Sequence, residues 1–160
     1  MKILVLSDSH ASLFHMRRLI SQLQPEQAVH LGDHYDDGEA LALENPHIRF
    51  HQVPGNCDRF RCAPDLPQTL CYDIGGVRFF MTHGHLHGVK SGPGHLLAEA
   101  RKNGAQMVLY GHTHVAACFP YEGMWVMNPG SCGSGSGSAG LVEITDGKIV
   151  DCRILPLAEM

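Results

Sequence analysis

Lys2-Ile3-Leu4-Val5-Leu6-Ser7-Asp8-Ser9-His10 opens the chain with an apolar run that ends in a carboxylate and an imidazole. Short apolar runs closed by Gly, Asp or Asn read as buried strands. The same grammar recurs four times. Ala28-Val29-His30-Leu31-Gly32 runs into Asp33. Ile48 to Val53, followed by Pro54-Gly55, runs into Asn56. Val77-Arg78-Phe79-Phe80-Met81-Thr82 runs into His83, and Met107-Val108-Leu109-Tyr110-Gly111 runs into His112 with His114 two residues on. In open α/β sheets, ligands bind outside the carboxyl ends of the strands. The five runs therefore predict one polar rim that gathers Asp8, His10, Asp33, Asn56, His83, His112 and His114. Those donors suffice for two metal ions if one carboxylate bridges them.

Between these strands the pattern alternates. Leu13, Met16, Leu19, Ile20 and Leu23 recur at helical spacing and predict a helix over Ser12–Gln24, with Ser12 as a candidate N-cap and Pro25 just beyond. Asp37–Leu43 predicts a short helix. Asp58–Pro67 reads as loop, and Thr69–Ile74, Gly75-Gly76 and Val77–Thr82 as a hairpin. Gly84–Gly94 is a Gly/His-rich rim loop, and Leu96–Lys102 a helix ended by Gly104. Short strands follow at Val115–Phe119 and Met124–Met127, then a hairpin of Gly140–Thr145 and Lys148–Leu155 through Asp146-Gly147. The Gly/Ser stretch 133–140 reads as a mobile loop. A βαβ(α)β half followed by antiparallel hairpins predicts two packed sheets flanked by helices.

The length of 160 residues fits one domain, 1–160. A formal net charge of −4 argues against long nucleic acid or a membrane surface held by bulk electrostatics. No apolar run approaches the ~20 residues of a membrane span. No signal peptide precedes the first strand. Cysteines at 57, 62, 71, 118, 132 and 152 match no zinc-finger spacing. A cytoplasmic protein with free thiols is the expectation. The outlying count is 12 His, more than packing needs, and His commonly serves metals or proton transfer.

Carboxylates, imidazoles and one amide oxygen suit Mn²⁺, Fe²⁺, Zn²⁺, Ni²⁺ or Co²⁺, whereas all-oxygen sites suit Mg²⁺ or Ca²⁺. Each donor also has a plainer reading. Asp8 could cap the following helix, Asp33 and Asn56 are common turn residues, and His83 could be a core histidine at a strand end. His112 and His114 alternate along an extended segment and would face opposite ways unless the chain bends near Gly111. The blocks Asp8-Ser9-His10, Gly32-Asp33, Gly55-Asn56-Cys57-Asp58, His83 and Gly111-His112-Thr113-His114 appear in an order that resembles the calcineurin-like metallophosphoesterases, in particular their small bacterial and archaeal phosphodiesterase branch. The resemblance covers nearly the whole chain.

It implies a four-layer α/β/β/α sandwich of two mixed sheets and a hydrolase with two divalent ions, Mn²⁺ first among them. By position it implies Asp8, His10 and His114 around one ion, Asn56, His83 and His112 around the other, and Asp33 bridging. A bridging hydroxide would attack phosphorus. Asp33, Asn56, Asp58 and His83 carry the catalytic roles, with Asp58 orienting a neighbour. The implied substrate is a small phosphodiester, a nucleotide included, and relatives of this size often form dimers or tetramers. Phe60, Phe119 and Trp125 are the candidate interface residues.

The chain departs from the family pattern in two places. Cys57 stands where many members have a His that protonates the leaving oxygen, which implies dependence on good leaving groups and preference for diesters. After Asn128-Pro129-Gly130-Ser131 the small branch usually continues to a Pro-Arg pair, absent here. His85 and His87 follow His83, and His85 is a candidate phosphate contact. His34, Tyr35 and Asp37 are expected as rim residues, and His15, His30, His47, His51 and His95 as surface or structural. Two rival classes remain. One is a phosphomonoesterase or protein phosphatase, with Arg59, Arg61 and Lys90 as the basic residues available. The other is a non-catalytic scaffold like the retromer subunit that shares this fold.

Overall fold

Each predicted strand is a strand, and period-two alternation sends its side chains into two different cores. The computed structural model describes all 160 residues. One sheet contains β1 (Lys2–Leu6), β2 (Gln27–His30), β3 (Arg49–Gln52), β9 (Ser138–Thr145) and β10 (Lys148–Pro156), in the order β10-β9-β1-β2-β3. The other contains β4 (Thr69–Ile74), β5 (Val77–Thr82), β6 (Met107–Leu109), β7 (Ala117–Tyr121) and β8 (Met124–Asn128), in the order β4-β5-β6-β8-β7. Both are mixed: β1, β2 and β3 run parallel, as do β5, β6 and β8, while the remaining neighbours are antiparallel.

Ile3 and Val5 point into the space between the sheets, where they meet Val29, Phe79, Met81, Met107, Leu109 and Val142. Leu4 and Leu6 point the other way, under α1 (Leu13–Leu23) and α2 (Tyr35–Glu44), against Met16, Leu19, Ile20 and Leu41. Phe80, next to Phe79, faces the opposite layer with Val108 and Val126 beneath α3 (Gly94–Lys102). The layers are therefore α/β/β/α, as expected. At one edge of the interface His51 on β3 accepts from the Tyr72 hydroxyl of β4 at 2.5 Å and donates to Gln27 Oε1 at 2.6 Å. At the other edge Cys118 Sγ of β7 lies 3.1 Å from Cys152 Sγ of β10. No helix is long and apolar enough to cross a membrane.

Several local expectations are corrected. α2 begins at Tyr35, two residues before the sequence pattern suggests, because a distant carboxylate holds its first turn. Ser12 occupies the N-cap of α1 but its side chain makes no capping bond. β7 starts at Ala117 and carries Pro120, which an edge strand tolerates. The Gly/Ser stretch, expected as a mobile loop, is a bonded turn. Ser138 N–H donates to Ser131 O and Leu157 N–H to Gly137 O, and a Cβ on Gly137 would stand 1.9 Å from Ser131 O. Phe119 and Trp125 are half-buried against the cores, which leaves Phe60, 92% exposed, as the free member of that trio.

Candidate metal centre

The rim forms where β1, β2, β5 and β6 end and the loop after β3 folds over them. Asp8 N–H donates to Gly32 O and Gly111 N–H to His83 O, both at 2.9 Å, so strand ends of each sheet are tied to one another. Two glycines permit the approach. A Cβ on Gly55 would stand 2.2 Å from Asp33 Oδ1, and one on Gly111 would stand 2.1 Å from Ser7 Oγ.

All seven expected donors meet here. Asp8, His10, Asp33 and His114 offer ligand atoms within 4.8 Å of one another. Asp8 Oδ2 accepts from the Ser7 hydroxyl at 2.6 Å and the His112 N–H at 3.1 Å. Its other oxygen, Oδ1, is buried and accepts no hydrogen bond. That oxygen faces His114 Nε2 at 3.1 Å, His83 Nε2 at 3.9 Å and His10 Nε2 at 4.0 Å. His10 and His114 bring their Nε2 atoms within 3.4 Å.

The second half gathers around His83. Its Nδ1–H donates to Leu31 O at 2.7 Å, which leaves Nε2 as a lone pair. That lone pair points at Asn56 Oδ1 (3.1 Å), His112 Nδ1 (3.2 Å) and Asp33 Oδ1 (3.6 Å). In a neutral His83 ring, Nε2 and Asn56 Oδ1 are two acceptors turned toward each other, an arrangement that a cation satisfies. The buried orphan oxygen of Asp8 makes the same demand. The mixed N/O donor set fits divalent transition ions. Burial pulls the His112 pKa down, helped by His83, and so favours the neutral ring that ligates. Burial alone would push the Asp33 carboxyl up, but the Cys57 N–H at 3.0 Å and the adjacent His83 carry it below its usual value.

The anticipated alternation problem of His112 and His114 has a backbone solution. Both adopt left-handed conformations, at φ 69° and 60°, and so do Asp8, His10 and Asp33. The bend lies at the histidines themselves rather than at Gly111. Asp58 sits beneath the rim, fully buried. Its carboxylate accepts from the N–H groups of Asp33 (2.8 Å), His34 (2.8 Å), Tyr35 (2.9 Å) and Gly55 (2.7 Å). It thus fixes the loops of Asp33 and Asn56 together and supplies negative charge at the start of α2.

Asn128 carries a role the sequence pattern did not expose. It is buried at the end of β8, and its Nδ2 donates to Gly111 O at 3.0 Å and Thr113 Oγ1 at 2.9 Å, bracing the turn that holds His112 and His114. The available signal was the same strand-end grammar: Met124–Met127 is a sixth apolar run closed by a polar residue. Asp37, expected on the rim, is buried. It accepts from Ser9 Oγ at 2.7 Å and Ala11 N–H at 2.9 Å, and Ser9 Oγ in turn meets His30 Nε2 at 2.9 Å. His30 and His51 are structural, and His47 and His95 are exposed. His85 lies beside His83, with ring centroids 5.4 Å apart and the rings tilted by 58°, at the edge of the site.

A sequence model described as the calcineurin-like phosphoesterase superfamily domain matches residues 1–147. A probable metallophosphoesterase of Bacillus subtilis, YsnB, is 32% identical over 82% of this chain and 75% of its own length. The phosphodiesterase MJ0936 of Methanocaldococcus jannaschii is 30% identical over 82% of this chain and 84% of its own. Among solved structures, Vps29 of Entamoeba histolytica complexed with zinc is similar in fold, with a TM-score of 0.74, 21% identity, and coverage of 98% of this chain and 99% of that one.

Proposed function

The chain belongs to the calcineurin-like phosphoesterase superfamily, and from that premise we propose that it is a metal-dependent phosphodiesterase, one hydrolase domain over residues 1–160 acting on a small phosphodiester. The observation that carries the reading is the convergence of carboxylate, imidazole and amide-oxygen groups on one rim, with Asp8 Oδ1 buried and unpartnered at its centre. Asp8, His10 and His114 would hold one divalent ion, Asn56, His83 and His112 the other, and Asp33 would be shared between them. Two such ions would supply a hydroxide nucleophile and offset charge on the phosphoryl oxygens. Mn²⁺ is the first to test, with Fe, Zn, Ni and Co as alternatives. The archaeal relative MJ0936 is named a phosphodiesterase, which supports the same reading. A cytoplasmic location and a homodimer or homotetramer belong to the same proposal.

The chain's own residues favour diesters with good leaving groups. His83 is oriented by Leu31 O, and Asn56 by its contact with His83. Asp58 keeps both loops in register. Cys57 sits beside Asn56, with its Sγ 3.6 Å from Asn56 Nδ2. Burial, reinforced by Asp33, pushes the Cys57 thiol up, so at neutral pH it stays protonated and donates its proton poorly. A departing alkoxide that needs a proton is served badly here, whereas a stabilised phenoxide needs none.

The test compares matched aryl phosphate diester and monoester substrates with Mn²⁺ and after chelation. Faster, chelator-sensitive diester cleavage is the expected result. Faster monoester cleavage would move the protein to the phosphatase class. Absence of both activities with metal bound would leave a non-catalytic interaction scaffold. Cys57→His should flatten the leaving-group dependence, and an unchanged dependence would remove the proton-donor argument.

A further inference from the structure

A cavity of about 420 Å³ opens beside the metal centre, lined by Asn56, Arg59, Cys62, Pro64, Gln68 and His85 among others. Its size lies within the range of small-ligand sites. It is continuous with the centre because Asn56 belongs to both: the amide oxygen faces His83 Nε2 at 3.1 Å while the residue lines the cavity.

The charge in this cavity is uneven. The single carboxylate that lines it, Asp58, already accepts four backbone N–H groups. Arg61 is held away by Asp36 at 3.4 Å. Arg59 has no carboxylate partner. Its guanidinium carbon lies 5.5 Å from the centroid of the Phe60 ring, and that ring is 92% exposed. A guanidinium resting on an aromatic face keeps its donors free and loses less freedom when it binds. On a chain with a net charge of −4, one unpaired Arg on the wall of a cavity next to the reaction centre is a specific feature rather than a general field.

We propose that this cavity receives one ester substituent of the phosphodiester, and that Arg59 selects substituents that carry their own anionic group, a carboxylate or a second phosphate. The proposal rests on the phosphodiesterase reading and names its substrate class. Planar guanidinium matches either oxyanion with two parallel hydrogen bonds. Arg59 is thus a specificity residue; it positions the retained substituent and takes no part in bond cleavage.

Three p-nitrophenyl diesters test it, differing in the retained group: propyl, 2-carboxyethyl and 2-phosphonooxyethyl. All lose the same phenoxide. The wild-type protein with Mn²⁺ should show a KM for the anionic esters lower by about tenfold or more than for the propyl ester, with kcat little changed. Arg59→Gln should bring the anionic esters to the propyl value and leave the propyl ester within about twofold. Arg59→Lys should recover part of the difference, since it keeps the charge but not the fork. The preference should shrink with added salt.

The carboxylate and phosphate arms identify which anion is preferred. Calorimetric titration with 2-carboxyethyl phosphate and propyl phosphate gives a readout without turnover: the wild type should favour the former and Arg59→Gln should not. Equal KM values in the wild type, or equal losses on all three esters in Arg59→Gln, would overturn the proposal while the diesterase reading stands. Cleavage of none of the three would overturn both.

Discussion

The space between the two sheets is built from strands and the rim above it from the residues that follow those strands, yet the two obey opposite rules. Between the sheets, 14 buried apolar residues pack together, and all but Leu31 and Val53 sit in regular strands. Two to five residues past the ends of those strands, Asp8, His10, Asp33, His112 and His114 all have positive φ. A non-glycine residue held in that region costs of order 1–3 kcal/mol. Such a conformation persists only where the surroundings over-determine it, here through Asp58, Asn128 and the loop-to-loop bonds of Asp8 and Gly111. The difference teaches that the core stabilises the fold and the rim draws on that stability. Changes to the two should therefore separate cleanly into folding and function.

The largest separation is expected for Asp33→Asn. Loss of the shared carboxylate should lower metal-dependent diester hydrolysis by about 10⁴-fold, roughly 5.4 kcal/mol in barrier. The metal-free protein should melt within about 1 kcal/mol of wild type, because Asn can still accept the Cys57 N–H. A large loss of metal-free stability would show that the rim helps to hold the fold. Phe79→Ala is the converse. Phe79 is fully buried between the sheets, and its truncation should cost about 3–5 kcal/mol in chemical denaturation. Below its lowered melting temperature the variant should retain a near-normal kcat.

The comparison also explains which parts could be read from the sequence. The apolar runs, their order and their polar ends follow from burial and period-two alternation, which are local. So the strands, the layering and the seven donors were legible. Backbone handedness at the rim was not. His112 and His114 alternate in sequence, and nothing local says that both turn left-handed. The early start of α2 depends on Asp58, more than twenty residues away. The Gly/Ser turn reads as a mobile loop because its order comes from Ser131 and Leu157, not from its own side chains. Asn128 went unassigned because its partners lie on the β6 loop, brought near only by the β6–β8 pairing.

Asp58 lies at the boundary between the two regimes, so Asp58→Asn should register in both. An Asn amide would turn an N–H₂ group toward backbone N–H donors that the carboxylate now satisfies. About 2–3 kcal/mol of stability should be lost, together with a metal affinity lowered by roughly 10–100-fold. Calorimetric metal titration and denaturation of the same sample measure the two effects. Loss of stability with unchanged metal affinity would confine Asp58 to the capping of α2.

The smallest effect, and the most local, belongs to the polar edge of the core. His51 spans the sheets through Tyr72 and Gln27, and burial, with Arg49 nearby, depresses its pKa from 6.5 to about 4. The unfolded ring takes its proton near pH 6.5. Between these values the unfolded chain holds more protons than the folded one, so stability is fully present above about pH 6.5 and declines as pH falls through about 4. The Tyr72 phenol, pushed up by burial, does not titrate in that interval. His51→Gln removes this contribution but leaves His30, whose buried ring is depressed likewise to about 4. The metal-free variant should therefore lose stability less steeply on acidification than wild type, by roughly 1–2 kcal/mol between pH 6.5 and 4. Parallel profiles for the two proteins would mean that the edge accommodates a charged imidazole, and that acid lability resides in His30 and the rim.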